Sequence, residues 1–295
     1  MEKKDYTIIL FYKYVTIDDP GQVMERERAV CDVLDIRGRM ILATEGVNAT
    51  MEGTTEHIEK YITHLKKDKR FKDVQFKTSK GTGESFPRLS IKVRDEIVTS
   101  HFGPEIDPRK DTGTYLQPAE LKRWFENDEE FEIIDMRSDF EYDSGHFKDS
   151  HASCMRVFKD LPKTVDRFNS LKEKKVVTVC TGGIRCEKAS AYLKYKGFKN
   201  VYQLHGGMHK YMEKYPGENF EGTLYTFDNR KVMDFGGERK KVGACMLCES
   251  TTERYENCNY PNCNHQFLCC DECAEKGVYC SDACRQIVES KKQLI

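Results

Sequence analysis

The sequence predicts a multidomain α/β protein: an N-terminal ferredoxin-like α+β sandwich, a central α/β domain with a parallel sheet, and a small C-terminal metal-binding segment. Three observations carry this prediction. Strand and helix signals run in the order β-α-β-β-α-β over the first hundred residues. Apolar strands then alternate with helices from about residue 118. Nine of the thirteen cysteines fall between Cys245 and Cys284. A chain of 295 residues also exceeds a single core of roughly 100–200 residues, so several domains are expected. The expected divisions are 1–100 for the sandwich, 101–117 for a linker, 118–220 for the central domain, 221–240 for a second linker and 241–288 for the cysteine-rich segment.

Each element has a local reason. Residues 7–15 are β-branched and aromatic, a strand, and Asp18-Asp19-Pro20 then opens an amphipathic helix that runs to about Leu34. Short strands at 38–43 and 47–51 flank a Glu45-Gly46 turn, and Thr54-Thr55 begins a second helix towards Leu65. Strands at 74–77 and 89–93 close the unit. Residues 101–117, with Pro104 and Pro108, read as a connector, and Pro118 starts a helix. The runs 131–135, 175–179 and 201–204 are short apolar strands, and a helix at 187–196 ends at Gly197, a natural residue for a helix C-terminus. Ligands of such a sheet collect at the C-terminal ends of its strands, where Cys180 stands.

Charge and cysteine usage narrow the function. Lys+Arg 48 against Asp+Glu 49 gives a net charge of -1, which argues against a uniformly basic coat for nucleic acid. Locally the balance differs: residues 66–94 hold ten basic and three acidic side chains. Lys66, Lys67, Lys69, Arg70 and Lys72 are therefore candidate RNA contacts, although the aromatic signature of an RNA recognition motif is missing. The start of the chain carries no apolar core of signal-peptide length, and no run approaches the roughly 20 apolar residues of a membrane span. A cytoplasmic protein is expected, without membrane contact and with no evident protein partner. The odd number of cysteines then points to catalysis and metal binding in preference to disulfides.

The loop Cys180-Thr181-Gly182-Gly183-Ile184-Arg185-Cys186 carries the strongest chemical signal. A strand that delivers a cysteine into a glycine-containing loop opening a helix places the sulfur among converging amides and at the positive end of the helix dipole. Arg185 adds a fixed charge, so Cys180 is expected to be a low-pKa thiolate, with Thr181, Gly182, Gly183, Ile184 and Arg185 as its anion cradle. Cys186 is a possible resolving thiol. Asp135 and Arg137 are expected to organise the pocket by ion pairing, and Lys188 to be a solvated lysine of the first helical turn. With Asp135-Met136-Arg137, Glu141, Gly145-His146-Phe147 and Leu204-His205-Gly206-Gly207, this loop resembles a rhodanese domain. The spacing of four residues between Cys180 and Arg185 departs from the five used by phosphatase relatives, so sulfur chemistry fits better than phosphate chemistry.

The resemblance extends over nearly the whole chain. Gly38-Arg39, Glu45-Gly46-Val47-Asn48, the string from Cys180 to Ala189 and the cysteine-rich tail are similar to the bacterial tRNA uridine hydroxylase family. That resemblance implies an acylphosphatase-like N-terminal domain, tRNA as partner, O2 as co-substrate and formation of 5-hydroxyuridine at the wobble position, with Cys180 essential. No Rossmann glycine pattern and no pair of histidines with a carboxylate for an iron centre is found, so the sequence does not explain how oxygen is activated, and the electron donor is unknown. The rhodanese loop alone implies a persulfide sulfurtransferase, and a non-enzymatic, zinc-containing RNA-binding module is a third reading.

The tail pairs its cysteines as Cys245 and Cys248, Cys258 and Cys263, Cys270 and Cys273, Cys280 and Cys284. These knuckle spacings are those of tetrahedral thiolate sites, and eight ligands imply two structural zinc ions, with an iron–sulfur cluster as the rival. Metal would supply most of the folding free energy of so short a segment. Which pairs share an ion is left open, and Cys269 and His265 remain over.

Overall fold

A computed structural model of the chain describes residues 5–233, 235–236 and 240–292. The first unit comprises β1 (Tyr6–Tyr14), α1 (Pro20–Val33), β2 (Arg37–Ala43), β3 (Gly46–Thr54), α2 (Thr55–Leu65), β4 (Lys77–Lys80) and β5 (Leu89–Val93). Its sheet runs β4-β1-β3-β2-β5. The first four strands pair antiparallel in the expected ferredoxin-like order, and β5 adds a parallel edge beside β2. Asp19 and Thr54 cap the two helices by accepting from the amides of Gln22 and His57. Both helices cover one sheet face, burying Ile9, Phe11, Met40, Leu42, Tyr61 and Leu65. The strand expected at 74–77 starts instead at Lys77, opposite Leu10. A 3-10 turn at Lys69–Phe71 first drives Phe71 and Val74 into the core, which delays the pairing.

The central unit is built from β6 (Thr114–Leu116), α3 (Pro118–Glu126), β7 (Glu132–Asp135), α4 (Asp139–Ser144), β8 (Gly145–Phe147), β9 (His151–Ala152), α5 (Leu161–Thr164), β10 (Lys175–Val179), α6 (Ile184–Tyr195), β11 (Asn200–Leu204) and α7 (Gly207–Lys214). Its sheet, β6-β11-β10-β7-β9, is parallel throughout. Thr114–Leu116, within the stretch expected as a connector, is an edge strand of this sheet; three residues carry too little periodicity to announce themselves. Helix α6 begins at Ile184, earlier than expected, because Gly183 at φ 102° turns the chain directly out of the loop. Arg185 and Cys186 therefore lie in its first turn.

The chain returns through β12 (Phe220–Gly222), paired with β8, and a hairpin of β13 (Leu224–Tyr225) and β14 (Val232–Met233). The hairpin turn docks on the N-terminal unit. Arg230 Nη1 donates to Ser79 Oγ at 2.9 Å and Asn229 Nδ2 to the Glu84 carbonyl at 2.8 Å. The last segment holds the hairpin of β15 (Tyr255–Asn257) and β16 (Gln266–Leu268), then α8 (Asp271–Glu275) and α9 (Asp282–Lys292). Its Tyr255 and Leu268 pack with Tyr225 and Phe140 of the preceding units. No described helix is long and apolar enough to cross a membrane.

Candidate active site and metal centres

Cys180 follows the last residue of β10 and is fully buried. Its sulfur accepts the Gly183 amide at 3.1 Å, and the Cys186 amide and thiol also point at it. Burial opposes its ionisation, but the Cys186 thiol, the Arg185 charge and the two amides outweigh burial and bring its pKa down to about 5. Cys186 moves the opposite way, pushed up first by burial and then by the neighbouring thiolate, so it stays a thiol that donates. Arg185 is held from behind: Glu141 accepts from both its terminal nitrogens, at 2.7 and 2.8 Å. Thr181 Oγ1 also donates to Glu141, at 3.3 Å. Below this pair, Arg137 and Asp135 form a second buried ion pair at 2.6 Å, and Arg137 donates to the Gly145 carbonyl. The Met208 and His209 amides at the start of α7 clamp the Cys180 and Thr181 carbonyls at 2.9 and 3.0 Å. Gly207 permits this approach, since a Cβ there would lie 2.6 Å from the Cys180 oxygen.

The roof of the loop comes from the N-terminal unit. On β1, Ile9 and Phe11 face their own core, while Leu10, Tyr12 and Tyr14 face α6 and the loop. A Cβ on Gly183 would meet the Tyr12 hydroxyl at 2.8 Å, and one on Gly182 would meet Leu10 at 3.0 Å. Tyr14 donates to the Ile184 carbonyl at 3.5 Å. Glu187 fastens the junction, accepting from Tyr12 (3.0 Å), Tyr115 (3.0 Å), Gln203 (3.1 Å) and Thr112 (3.3 Å). Burial raises its carboxyl pKa, and these donors act in the opposite direction. A cavity of about 260 Å³ opens between the two units, lined by Tyr12, Tyr14, Lys77, Tyr115, Glu187, His205 and Gly206 among others.

Lys188 corrects an expectation. It is only 2% exposed and bridges Glu45 at 2.9 Å and Glu96 at 2.8 Å, so it is a structural cation between domains and not a solvated lysine. The Glu45-Gly46 turn is thereby explained as half of a domain contact. The candidate RNA contacts are less uniform than their sequence suggests. Lys66, Lys67, Lys69 and Lys72 are exposed, with Lys66 over the Phe76 ring, whereas Arg70 is engaged by Asp68 at 2.6 Å. Sequence reasoning overlooked Tyr12, Tyr14, Lys77, Tyr115 and Glu187. The signal for the tyrosines was present: β1 is apolar or aromatic on both faces, and a second face of that kind has to be covered.

The cysteine pairs interleave. Cys245, Cys248, Cys270 and Cys273 form one group, and Cys258, Cys263, Cys280 and Cys284 the other, with the ligand atoms of each group all within 4.8 Å of one another. First and third pairs thus share a site, as do second and fourth. Sulfur separations of 3.5, 3.5 and 3.7 Å suit a tetrahedron of Zn–S bonds of about 2.3 Å, whose edge is about 3.8 Å. Either group could hold a metal ion, and all eight cysteines are free of disulfides. Cys269 and His265 stand outside both groups. Arg156 of the central unit donates to Cys263 Sγ at 3.7 Å, tying the second group to the rest of the chain.

Comparison with known proteins follows these units. Residues 6–97 match the model of the UPF0176 acylphosphatase like domain, residues 117–214 that of the rhodanese-like domain, and residues 221–285 that of the rhodanase C-terminal region. A tRNA uridine(34) hydroxylase of Cytophaga hutchinsonii is 41% identical over 285 residues, covering 96% of this chain and 90% of that protein. One of Staphylococcus carnosus is 39% identical over 287 residues, covering 92% and 90%. Among solved structures, a rhodanese-like domain protein from Staphylococcus aureus is 26% identical with a TM-score of 0.30, covering 33% of this chain and 90% of that one.

Proposed function

The chain belongs to the tRNA uridine(34) hydroxylase family, and on that premise we propose that it hydroxylates the wobble uridine of tRNA to 5-hydroxyuridine with Cys180 at the reacting centre. The observation that carries the reading is the buried sulfur held as a thiolate by the Gly183 and Cys186 amides, the Cys186 thiol and Arg185. A buried, low-pKa thiolate is a poised nucleophile. The target base reaches it by swinging out of the anticodon stack, as enzymes acting on bases require. The oxygen atom comes from O2 as co-substrate, with an external two-electron donor reducing its second atom to water. Lys66, Lys67, Lys69 and Lys72 are candidate contacts for the tRNA backbone, supported by their exposure on one surface stretch. The two cysteine groups hold structural zinc, a role supported by four thiolates per site and no position left for a reactant.

The amide cradle would serve a persulfide equally well, so sulfur transfer is the second reading. One experiment separates them: the purified protein is incubated with tRNA, O2 and a reductant, and the wobble nucleosides are analysed by mass spectrometry. Co-elution of the modified nucleoside with authentic 5-hydroxyuridine, with label incorporated from isotopic O2, supports hydroxylation; the nominal mass gain alone is shared by a replacement of oxygen by sulfur. A thiolated base, or brisk thiocyanate formation from thiosulfate and cyanide, supports sulfur transfer.

A further inference from the structure

Of the cations lining the cavity between the N-terminal and central units, Lys13 is paired with Asp73 and Arg109 with Asp107. Lys77 makes no ion pair among the described residues, and the charges of Cys180 and Glu187 act on it from beyond ion-pair distance. Lys77, on β4 and half-buried, has no carboxylate partner among the described residues and rests against the Tyr12 ring at 5.1 Å. The contrast with its neighbours is informative. Lys188, at the same junction, is neutralised by Glu45 and Glu96, and Arg185, beside the sulfur, by Glu141. A partly desolvated ammonium whose hydrogen-bond donors meet no protein acceptor keeps them free for an acceptor on a ligand.

We infer that Lys77 is a catalytic residue contributed by the N-terminal domain, donating to the O4 carbonyl oxygen of a target uracil that enters this cavity, whose Tyr12 wall lies against the Cys180 loop. This rests on the reading that the substrate is a tRNA uridine. The cavity, about 260 Å³, lies below the roughly 300–1,000 Å³ of drug-sized ligand pockets, which suits one extruded pyrimidine and no base pair. An ammonium group has three donors and no acceptor. Directed at O4 it therefore matches uracil and opposes the amino group that cytosine carries at that position, O2 being common to both bases. The Tyr12 ring beneath it is fixed by Glu187, so Lys77 keeps its place before substrate arrives.

Its charge is finely balanced. Desolvation lowers the Lys77 pKa to about 8, with Lys210 acting in the same direction and Cys180 and Glu187 against it. His205 is pushed down by burial, then by Lys210 and Lys77, and His209 by burial, then by Lys77 and Arg230, so both favour the neutral imidazole beside this cation. Lys77 is thus an ammonium at neutral pH and an amine above about pH 8.

The test is the pH profile of kcat/KM for tRNA hydroxylation by the full zinc-loaded chain, wild type against Lys77→Met and Lys77→Arg. Lys77→Met is expected to lower kcat/KM by roughly 10–100-fold, the range for losing a hydrogen bond to a charged group. Wild type is expected to decline above about pH 8, and Lys77→Arg to lack that decline because a guanidinium does not titrate there. Full activity of Lys77→Met, or the same alkaline decline in Lys77→Arg, would overturn the inference while leaving hydroxylation itself standing. If Lys77→Met does not fold, the Lys77→Arg profile still decides. A wild type that leaves uridine 34 untouched would remove the functional reading and this inference together.

Discussion

Replacing Cys186 by alanine isolates the hydrogen bond that sets the reactivity of Cys180. The substitution removes one thiol donor and leaves the Gly183 and Cys186 amides and Arg185 in place. A hydrogen bond to a charged group contributes about 1.5–3 kcal/mol. At about 1.4 kcal/mol per pH unit, its loss raises the Cys180 pKa by roughly one to two pH units. The wild-type value near 5 therefore becomes about 6–7, and the thiolate fraction at pH 6 falls from most of the population to half or less. The sign is fixed by the direction of donation: Cys186, whose own pKa is raised, gives its proton to the bond and favours the charged form of Cys180. The assay is the rate of iodoacetamide alkylation against pH, with the label located on the peptide containing Cys180 by mass spectrometry. An alkylation midpoint that does not move in Cys186→Ala, or a wild-type midpoint at the ordinary thiol value near 9, would refute the account.

Other expectations follow from the same geometry. Cys180→Ser should abolish uridine hydroxylation while leaving the chain folded, because a serine hydroxyl does not ionise near pH 7; residual activity by nucleoside mass spectrometry would exclude the sulfur. Lys188→Met leaves Glu45 and Glu96 facing each other without a cation and should destabilise the domain junction by about 1–3 kcal/mol, read as a lower denaturant midpoint. Hydroxylation by wild type should fall on the acid side only as pH approaches about 5, where Cys180 protonates; an acid limb near pH 8 would contradict a depressed thiol. Cys245→Ser and Cys258→Ser should each reduce bound zinc below two per chain by elemental analysis, and two retained ions in either would reject the interleaved assignment.

Much of the architecture was legible because it is written in local patterns. The β-α-β-β-α-β order, the buried strand into the Cys180 loop and the cysteine knuckles all rest on residues close in sequence. What lay hidden depends on contacts between distant segments. Lys188 reads as a solvated lysine until Glu45 and Glu96, 143 and 92 residues earlier in the chain, are brought against it. Lys77 was one of ten basic residues in a run, and nothing local distinguishes it from Lys72; only the docking of β1 and β4 on the central domain puts it in the cavity. The pairing of knuckles could not be read either, since spacing fixes each pair but not its partner. The hairpin turn at Asn229 and Arg230 lies in a stretch with linker-like composition, yet its side chains find their acceptors some 150 residues upstream.

The roof that β1 places over the Cys180 loop also has a meaning in time. Domains generally fold in the order they leave the ribosome, at roughly 5–20 residues per second. Some eighty residues separate the end of the N-terminal sandwich from Cys180, which is roughly 4–16 s of synthesis. A small domain folds within microseconds to seconds. Leu10, Tyr12 and Tyr14 are therefore already set on a finished sheet when the loop emerges, and the loop can close against them as its own domain forms. The thiolate arises only when the loop folds and its amides and Arg185 converge on the sulfur; formed without a roof, it would be open to peroxide or a stray electrophile. The order of the domains along the chain thus works as a built-in escort, with the shield in place before the sulfur becomes reactive.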